Sequence, residues 1–424
     1  MYRNRPLGRM ALMALMAALM VVSVVMPAQA AGGNEERAVR FAAFNASLNR
    51  GSIGELLDDL ATPDDPQIRA VAEIIQRTRP DVLLINEFDY DPAGDAMALF
   101  QANYLGVSQN GAEPITYPHT FAAESNTGIP SGRDLNKDGK VGGPLGSFDW
   151  ANDSFGFGQF PGQFGMAVFS MYDIDEGAAR TFQNFLWKDM PGRLIPADPV
   201  TREPWYDEGD MEVFRLSSKS HWDLPIQVGN KTVHFLVSHP TPPVFDGPED
   251  RNGTRNFDEI RFWSDYVRGG RHSRYIYDDN GRRGGLSPGA LFVIAGDQNA
   301  DPFDGDSIPG AAQQLLESPK VNTKVTPASA GGVEMVNQGP PNDVHLGDPA
   351  FDTADFSEAA FGGPGNLRVD YVLPSRSLKM VDAGIFWPTS DDPYFYLTGP
   401  GFPPVSSDHR LVWIDITKGG FPTG

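Results

Sequence analysis

The stretch Leu291–Asn299, which reads LFVIAGDQN, decides the fold class because a buried strand in it runs directly into polar side chains. Its uninterrupted apolar segment is typical of a strand in a sheet that helices cover. Asp297 and Asn299 follow, and their oxygen atoms can bind a hard cation or orient a water molecule. The stretch therefore predicts a layered α/β protein with a polar site at a strand end.

Other strand-like runs repeat this pattern of an apolar segment beside an amide, a carboxylate or an imidazole. These runs are Arg40–Asn45 (RFAAFN), Asp81–Glu87 (DVLLINE), His234–His239 (HFLVSH) and Arg368–Ser375 (RVDYVLPS). A serine-rich turn with Ser407, Asp408 and His409 precedes a last strand-like run, Arg410–Ile416. Together these residues can hold a divalent cation by oxygen ligands and leave histidines for proton transfer.

A helix is expected between the first two strands. Asp65 can cap it, and Pro66 suits its first turn. Apolar residues recur at helical spacing from 68 to 75, and Pro80 ends the pattern. Strands that alternate with helices predict an α/β or α+β layered domain.

One catalytic domain, residues 38–418, is predicted because no shift in composition marks a second domain. Long loop insertions are expected at about 109–164 and 173–231, where glycine, proline and polar residues interrupt any periodicity. Within the second insertion, short strands are expected around 211–216 and 227–232.

The first residues have the pattern of a signal peptide, predicted over residues 1–30. Arg3, Arg5 and Arg9 precede a long apolar run, and Ala28-Gln29-Ala30 is a small-residue cleavage site. The run could just span a bilayer, so a membrane anchor is the alternative. Cleavage is favoured because the site directly follows the run, and it predicts a secreted or periplasmic protein without a membrane attachment.

Composition narrows the chemistry. The chain has no cysteine, which excludes disulfides, zinc–thiolate sites and thiol nucleophiles. The formal net charge of −21 repels polyanions and disfavours nucleic acid as a partner. A bound metal and a local basic patch could offset that charge, so a nuclease stays open. The net negative charge therefore favours a small phosphorylated or phosphodiester substrate over nucleic acid.

The order of the motifs resembles the endonuclease/exonuclease/phosphatase superfamily, the DNase I-like fold, and its extracellular bacterial branch in particular. The matching segments are Phe44-Asn45, Asn86-Glu87, Ser238-His239, Gly296–Asn299, Val369–Tyr371 and Ser407–His409. The resemblance implies a four-layer sandwich of two packed, mainly antiparallel β-sheets flanked by helices. It also implies hydrolysis of phosphate esters with a divalent metal, Mg²⁺ being preferred over Mn²⁺ or Ca²⁺.

The resemblance further implies the metal and water sites. Asn45 and Glu87 would lie at the metal, with Asp408 near it. Asp297 and Asn299 would position the attacking water and the phosphate.

Two histidines complete the implied site. His409 would contact the phosphate and transfer a proton, oriented by Asp370. His239 would be a second catalytic histidine, as in DNase I and the sphingomyelinases, and Glu124 is the candidate acid behind it.

A calcium-loop pattern occurs within the first insertion. Asp134, Asn136 and Asp138 occupy positions one, three and five, and glycine occupies position six. Position twelve is Leu145 instead of glutamate, so either a structural Ca²⁺ with an acid from elsewhere or a plain polar turn is expected.

The loop after His239 carries Arg251 and Arg255, which are candidates to clamp a phosphate by bidentate hydrogen bonds, and a helix is expected from about 256 to 267. A surface loop with internal ion pairs is the alternative. Phenylalanines at 155–160 could form a stacking platform, although core packing is favoured.

Three functions follow in order of preference. The first is a secreted, metal-dependent phosphoesterase acting on small phosphodiesters or phosphomonoesters. The second is an extracellular DNase or RNase with the same chemistry. The third is a non-catalytic binding module with the same fold, which the complete set of candidate ligands argues against.

Overall fold

Two β-sheets form the centre of the computed structural model, which describes residues 38–356 and 363–417. The strands are β1 Val39–Leu48, β2 Val82–Phe88, β3 His119–Phe121, β4 Met166–Ser170, β5 Arg180–Thr181, β6 His221–Val228, β7 Lys231–Ser238, β8 Leu291–Asp297, β9 Ala354–Phe356, β10 Gly365–Leu367, β11 Asp370–Pro374, β12 Met380–Ile385 and β13 Val412–Ile416.

Each large sheet has one parallel pair of strands at its centre. The first sheet has the order β12-β13-β1-β2-β4-β3, and the second has the order β11-β8-β7-β6-β5. The pairs β1–β2 and β7–β8 are parallel, and the other pairs are antiparallel. Strands β9 and β10 form a separate two-stranded ribbon.

Helices pack outside the sheets and lie in the segments that connect the strands. They are α1 Glu55–Leu60, α2 Pro66–Thr78, α3 Asp95–Phe100, α4 Phe148–Asn152, α5 Glu208–Met211, α6 Arg251–Arg268, α7 Gln313–Leu316 and α8 Ala330–Met335. A π-helical turn, Gln101–Leu105, extends α3. Within the described residues, no helix combines the length and the apolar character needed to cross a membrane.

The apolar core is divided into three parts by the two sheets. Between the sheets, Phe41 of β1 contacts Phe235 of β7 edge to face, with ring centroids 5.4 Å apart. Outside the first sheet, α2 and α3 pack through residues such as Ile75. Outside the second, α6 packs through Trp263. The molecule is thus the four-layer, mainly antiparallel α/β sandwich that the sequence predicts.

The predicted helix α2 forms as expected. The Asp65 side chain accepts a hydrogen bond from Ile68 N at 2.8 Å, and Pro66 occupies the first turn. This cap satisfies a backbone donor that would otherwise lack a partner. The helix ends at Thr78, immediately before the buried strand that carries Glu87.

The second insertion is not a loop throughout; the strand predicted around 211–216 is not formed, and the strand predicted around 227–232 is divided by a turn. Residues 212–216 follow the short helix α5, whose Asp207 and Asp210 form a reciprocal cap. Strand β6 ends at Val228 and β7 begins at Lys231, so a tight turn lies within 227–232. Gly229 allows this turn because it adopts a φ of 65°. The real strand, β6, begins earlier, at His221, and lies inside the second sheet.

Two other boundaries differ from expectation. Helix α6 begins at Arg251, about a turn before the predicted start at 256. The first insertion, 109–164, contains the edge strand β3 and the short helix α4. The described residues belong to one compact unit, and the predicted signal peptide, 1–30, lies outside them.

Candidate active site

The topology brings the predicted site residues to one edge of the sandwich. Glu87 and Asp297 lie at the carboxyl ends of β2 and β8, and His239 directly follows β7. Strand β11 runs antiparallel to β8, so its first residue, Asp370, pairs with Asp297. By the same logic, β13 runs antiparallel to β1, and the turn before it brings His409 towards Asn45.

Asn86 and Gly296 hold the two sheets in register beneath the site. The Asn86 side chain accepts a hydrogen bond from Asp297 N at 3.0 Å, which joins β2 to β8 across the sandwich. A side chain at Gly296 would place its Cβ 2.1 Å from the carbonyl oxygen of Ser238. Because that approach is sterically forbidden, glycine is required before Asp297.

Backbone strain is concentrated at two predicted site residues. Glu87 has a φ of 60° and Asn299 a φ of 51°, both in the left-handed region. Asparagine tolerates this conformation, but for glutamate it costs on the order of 1 kcal/mol or more. The surrounding sheets impose the strained conformation, which directs the Glu87 carboxylate into the cleft that it lines.

The Asp297 carboxylate is the hub of the site. Its Oδ1 accepts a hydrogen bond from Asn299 N at 2.8 Å, and its Oδ2 accepts one from Asn45 Nδ2 at 3.1 Å. Both histidines approach the same Oδ2, with His239 Nε2 at 3.4 Å and His409 Nε2 at 3.7 Å. Burial opposes ionisation of Asp297, but the two histidines outweigh it and hold its pKa below the usual range.

His409 is held as a cation between two carboxylates. Its Nδ1 donates to Asp370 Oδ2 at 2.9 Å, which leaves Nε2 directed towards Asp297. Burial alone would lower the pKa of His409, but the charges of Asp370 and Asp297 overcome it and hold the pKa well above its ordinary value. Asp370 therefore contacts the ring that the resemblance pairs it with, and its role in orienting His409 stays a prediction.

His239 has the opposite character. It is buried, and among the described residues its Nδ1 has no hydrogen-bond partner. Burial and the nearby Lys219 charge lower the pKa of His239 to about 4, although Asp297 acts against this shift. One carboxylate thus contacts a charged histidine and a neutral histidine. Paired groups with such different protonation can divide acid and base roles between them.

An acidic group lies beside this centre. Glu87 faces Asp408, and Ser47 Oγ donates to Asp408 Oδ1 at 3.2 Å. The side chain of Glu87 keeps partial exposure to the cleft, yet desolvation and the Asp408 charge raise its pKa to about 7. Asn45 acts on the Glu87 carboxylate as well and opposes this rise in its pKa, so the predicted metal ligands lie together.

Lys219 is a charged residue of the site that the sequence analysis missed. Its side chain is buried and lines the same cleft as Glu87, His239 and Asp297. Burial lowers the pKa of Lys219, while the carboxylates of Glu259, Glu87 and Asp297 oppose that shift. The lysine lies just before β6, so the misplaced prediction of this strand concealed it.

Glu259 of α6 holds the two loops that carry Lys219 and His239. Its Oε1 accepts a hydrogen bond from Ser218 N at 2.6 Å, and its Oε2 accepts one from Thr241 N at 2.7 Å. Both acceptor atoms belong to a fully buried side chain. A single carboxylate therefore fixes the distance between a cation and a histidine of the site.

Glu124 does not occupy the position expected of it. Its Oε2 accepts a long hydrogen bond from Gln183 Nε2 at 3.5 Å, and its charge acts on Arg215. Ser218 and Lys219 lie beside His239 instead. The predicted pairing of Glu124 with His239 is therefore not formed in the part of the chain that the structure describes.

The two candidate phosphate clamps are already engaged. Arg255 is buried, and its guanidinium donates to the backbone carbonyls of Leu216 at 2.8 Å and Phe155 at 2.5 Å. Arg251 forms an ion pair with Glu249. Both arginines line the cleft, but they lie on the first turns of α6 and not on a free loop. Their contacts indicate that Arg255 supports the loops and that Arg251 alone keeps partial exposure.

The candidate calcium loop is a polar turn closed on itself. Asp134 accepts a hydrogen bond from the backbone amide of Asp138 at 3.1 Å, and Asn136 accepts one from the same amide at 3.2 Å. Asp149 pairs with a lysine side chain, and Asp153 points inward to the Leu135 amide at 2.7 Å. These contacts form the turn without an ion, and structural calcium stays a prediction.

The comparison with known families settles the relationship. The model of the Endonuclease/Exonuclease/phosphatase family matches residues 42–409, which include every motif residue from Asn45 to His409. The chain belongs to this family. Members of the family hydrolyse phosphate esters, and no curated protein matches the chain.

Similar solved structures include three bacterial proteins. An endonuclease/exonuclease/phosphatase from Beutenbergia cavernae is 16% identical, with a TM-score of 0.46, 90% of this chain covered and 72% of that chain. Sphingomyelinase C from Streptomyces griseocarneus is 14% identical, with a TM-score of 0.43 and coverage of 89% and 99%. Beta toxin from Staphylococcus aureus is 14% identical, with a TM-score of 0.42 and the same coverage.

The acidic group fits the divalent cation that the family implies. Glu87, Asp408 and Asn45 offer carboxylate and amide oxygens, which are the ligands of hard cations such as Mg²⁺, Mn²⁺ and Ca²⁺. Asp297, Asp370 and His409 also place ligand atoms within 4.8 Å of one another. In that second group, however, Nδ1 of His409 is already bound to Asp370. The acidic group therefore fits a cation better than the second group does.

Proposed function

We propose that this protein is a divalent-metal-dependent phosphoesterase that hydrolyses small phosphodiesters or phosphomonoesters. The observation that carries the proposal is the Asp297 carboxylate, which contacts Asn45, Asn299 and both histidines beside an acidic pair. Such an arrangement supplies the three needs of phosphoryl transfer: charge neutralisation, an oriented water and a proton for the leaving oxygen.

The residues divide this chemistry as follows. Glu87, Asn45 and Asp408 would hold the cation, which when bound neutralises the non-bridging oxygens of the phosphate. Ionised Asp297 accepts a hydrogen bond from the attacking water, which Asn299 helps to orient, and the neutral His239 beside Asp297 accepts the proton that the water loses. Nε2 of the cationic His409 donates to the phosphate and supplies the proton that the departing oxygen requires.

Two parallel assays test the proposal. The purified protein should hydrolyse bis(p-nitrophenyl) phosphate when Mg²⁺, Mn²⁺ or Ca²⁺ is added, and a His409→Ala variant should be nearly inactive. A plasmid-cleavage assay under the same conditions should show little nicking, because the net charge of −21 repels duplex DNA. Plasmid cleavage far faster than the small ester would instead support a nuclease, and no turnover of either would support a binding module.

We also propose that the protein is exported after removal of residues 1–30. Support comes from the basic residues, the apolar run and the Ala28-Gln29-Ala30 site. Expression of the full chain in a bacterium, followed by fractionation and N-terminal sequencing, tests this proposal. A mature protein that begins near residue 31 outside the cytoplasm is expected, and an uncleaved chain in the membrane fraction would contradict it.

A further inference from the structure

One continuous cleft of about 930 Å³ contains more than the catalytic centre. Polar residues of the site, including His239 and His409, line it together with a set of apolar side chains that the mechanism does not use. Some of these apolar residues come from the first insertion and from the loop after β7, and others, such as Phe214, Phe356 and Leu367, come from the second insertion and from β9 and β10. The cleft therefore extends from the catalytic centre into a region that the first insertion and the loop after β7 line in part.

Phe148 and Phe157 form an exposed aromatic pair in this region. Their ring centroids are 6.1 Å apart, and the rings are tilted by 45°. Phe148 is 67% exposed and Phe157 is 45% exposed, whereas the neighbouring Phe155 and Phe160 are buried. Exposed aromatic side chains bury little surface in the folded chain, and a pair of them inside a cleft marks a binding surface.

Phe245 is a third exposed aromatic residue of the cleft. It is 87% exposed, and its φ of 66° lies in the left-handed region, which is rare for a bulky residue. The preceding residue is fixed by a hydrogen bond from Asn252 Nδ2 to Val244 O at 2.6 Å. On the other side, Asp246 accepts from Asn252 N at 2.6 Å. Helix α6 thus holds an apolar side chain outward in a strained conformation.

We propose that Phe148, Phe157 and Phe245, here named the phenylalanine wall, bind an apolar group esterified to the phosphorus of the substrate. A phosphodiester carries two ester groups, and the one that does not leave remains attached to the phosphate during the reaction. The wall is continuous with the catalytic centre, so that group can contact it while the phosphate lies at Asp297 and His409. Removal of apolar area from water favours this contact, and a planar ring adds edge-to-face attraction.

This inference rests on the proposed function and narrows it to phosphodiesters with an apolar ester group. The test uses three p-nitrophenyl phosphodiesters with the same leaving group, in which the second ester is methyl, cyclohexyl or phenyl. The wild-type kcat/KM should be about tenfold higher for phenyl than for methyl. If the cyclohexyl ester also has a higher kcat/KM than the methyl ester, the wall acts by apolar contact. If only the phenyl ester does, the wall acts by ring stacking. Both results support the proposal.

Single variants locate the effect. Phe148→Ala and Phe245→Ala should each reduce the phenyl-to-methyl ratio of kcat/KM by about threefold or more. Phe402→Ala is the matched control, because Phe402 is 60% exposed and does not line the cleft, and it should leave the ratio unchanged. A wild-type ratio near one, or a ratio that neither cleft variant reduces, would overturn the proposal.

Binding measurements separate this inference from the proposed function. If none of the three esters is hydrolysed, the phosphoesterase proposal fails while the wall is still testable. Calorimetric titration with diphenyl phosphate and dimethyl phosphate then compares the two affinities without turnover. Tighter binding of diphenyl phosphate that Phe148→Ala and Phe245→Ala weaken supports the wall, and equal affinities refute it.

Discussion

Mild acid should destabilise this fold through His221, the first residue of β6. The ring is fully buried, and its Nε2 donates to the Glu259 carbonyl at 3.0 Å while the Ser217 hydroxyl donates to its Nδ1 at 2.6 Å. It also packs against Phe262 and Trp263, with centroids 4.8 Å and 5.0 Å away. Burial removes the ring from water and disfavours its charged form, so protonation opposes the native structure.

The magnitude follows from the change in pKa. Burial lowers the pKa of His221 to about 3, compared with an ordinary value of about 6.5 in the unfolded chain. Between these values the unfolded chain binds a proton that the folded chain does not, so the free energy of unfolding decreases as the pH falls. From about pH 7 to pH 5 this residue should remove about 2 kcal/mol of stability.

Urea unfolding at pH 7, 6 and 5 measures the effect, with His221→Gln as the comparison. The variant should be less stable at pH 7 because it loses ring packing. Its free energy of unfolding should nevertheless fall by about 2 kcal/mol less than that of the wild type over this range, since the other titrating groups are shared. Equal losses in the two proteins would refute the assignment of a buried neutral imidazole.

Other predictions concern the site and use steady-state kinetics with circular dichroism as the folding control. His409→Ala and His239→Ala should each lose about two to four orders of magnitude in kcat. The double variant should lose less than the product of the two single losses, and a loss equal to that product would show that the histidines act independently. Asp370→Asn should be impaired but more active than His409→Ala, and wild-type activity across neutral pH would rule out the Asp370–His409 pair. Lys219→Met should raise the KM for a phosphodiester about tenfold, because a buried cation beside the phosphate site is lost, and an unchanged KM would exclude phosphate contact.

The strands that carry the site could be predicted from the sequence because each is a short, uninterrupted apolar run. In β2 and β8 the polar residue at the strand end interrupts that run abruptly, as Glu87 and Asp297 do. Asp370 could be identified by energetics, since a carboxylate in an apolar strand is costly to bury without a partner. The structure supplies His409 as that partner.

The residues that could not be predicted depend on contacts between distant segments. Strand β6 contains Asp223 and Pro225 among its buried residues, so it lacks the apolar signature of its neighbours. Lys219 before it could not be placed for that reason. The position of Glu124 depends on how the first insertion packs against residues near 183, which no local pattern encodes. The exposure of Phe157 beside the buried Phe155 likewise depends on how the first insertion packs.

Chelation and metal replacement in the wild type and in Glu87→Gln test the central claim most directly. Glu87 is the proposed charged ligand and lies at the end of β2, so its replacement by an isosteric amide should leave the fold intact. The chelated wild type should not hydrolyse bis(p-nitrophenyl) phosphate, added Mg²⁺, Mn²⁺ or Ca²⁺ should restore turnover, and Glu87→Gln should remain about a hundredfold or more slower at saturating cation. Full activity of the chelated protein, or of Glu87→Gln, would contradict a metal-dependent phosphoesterase centred on this residue.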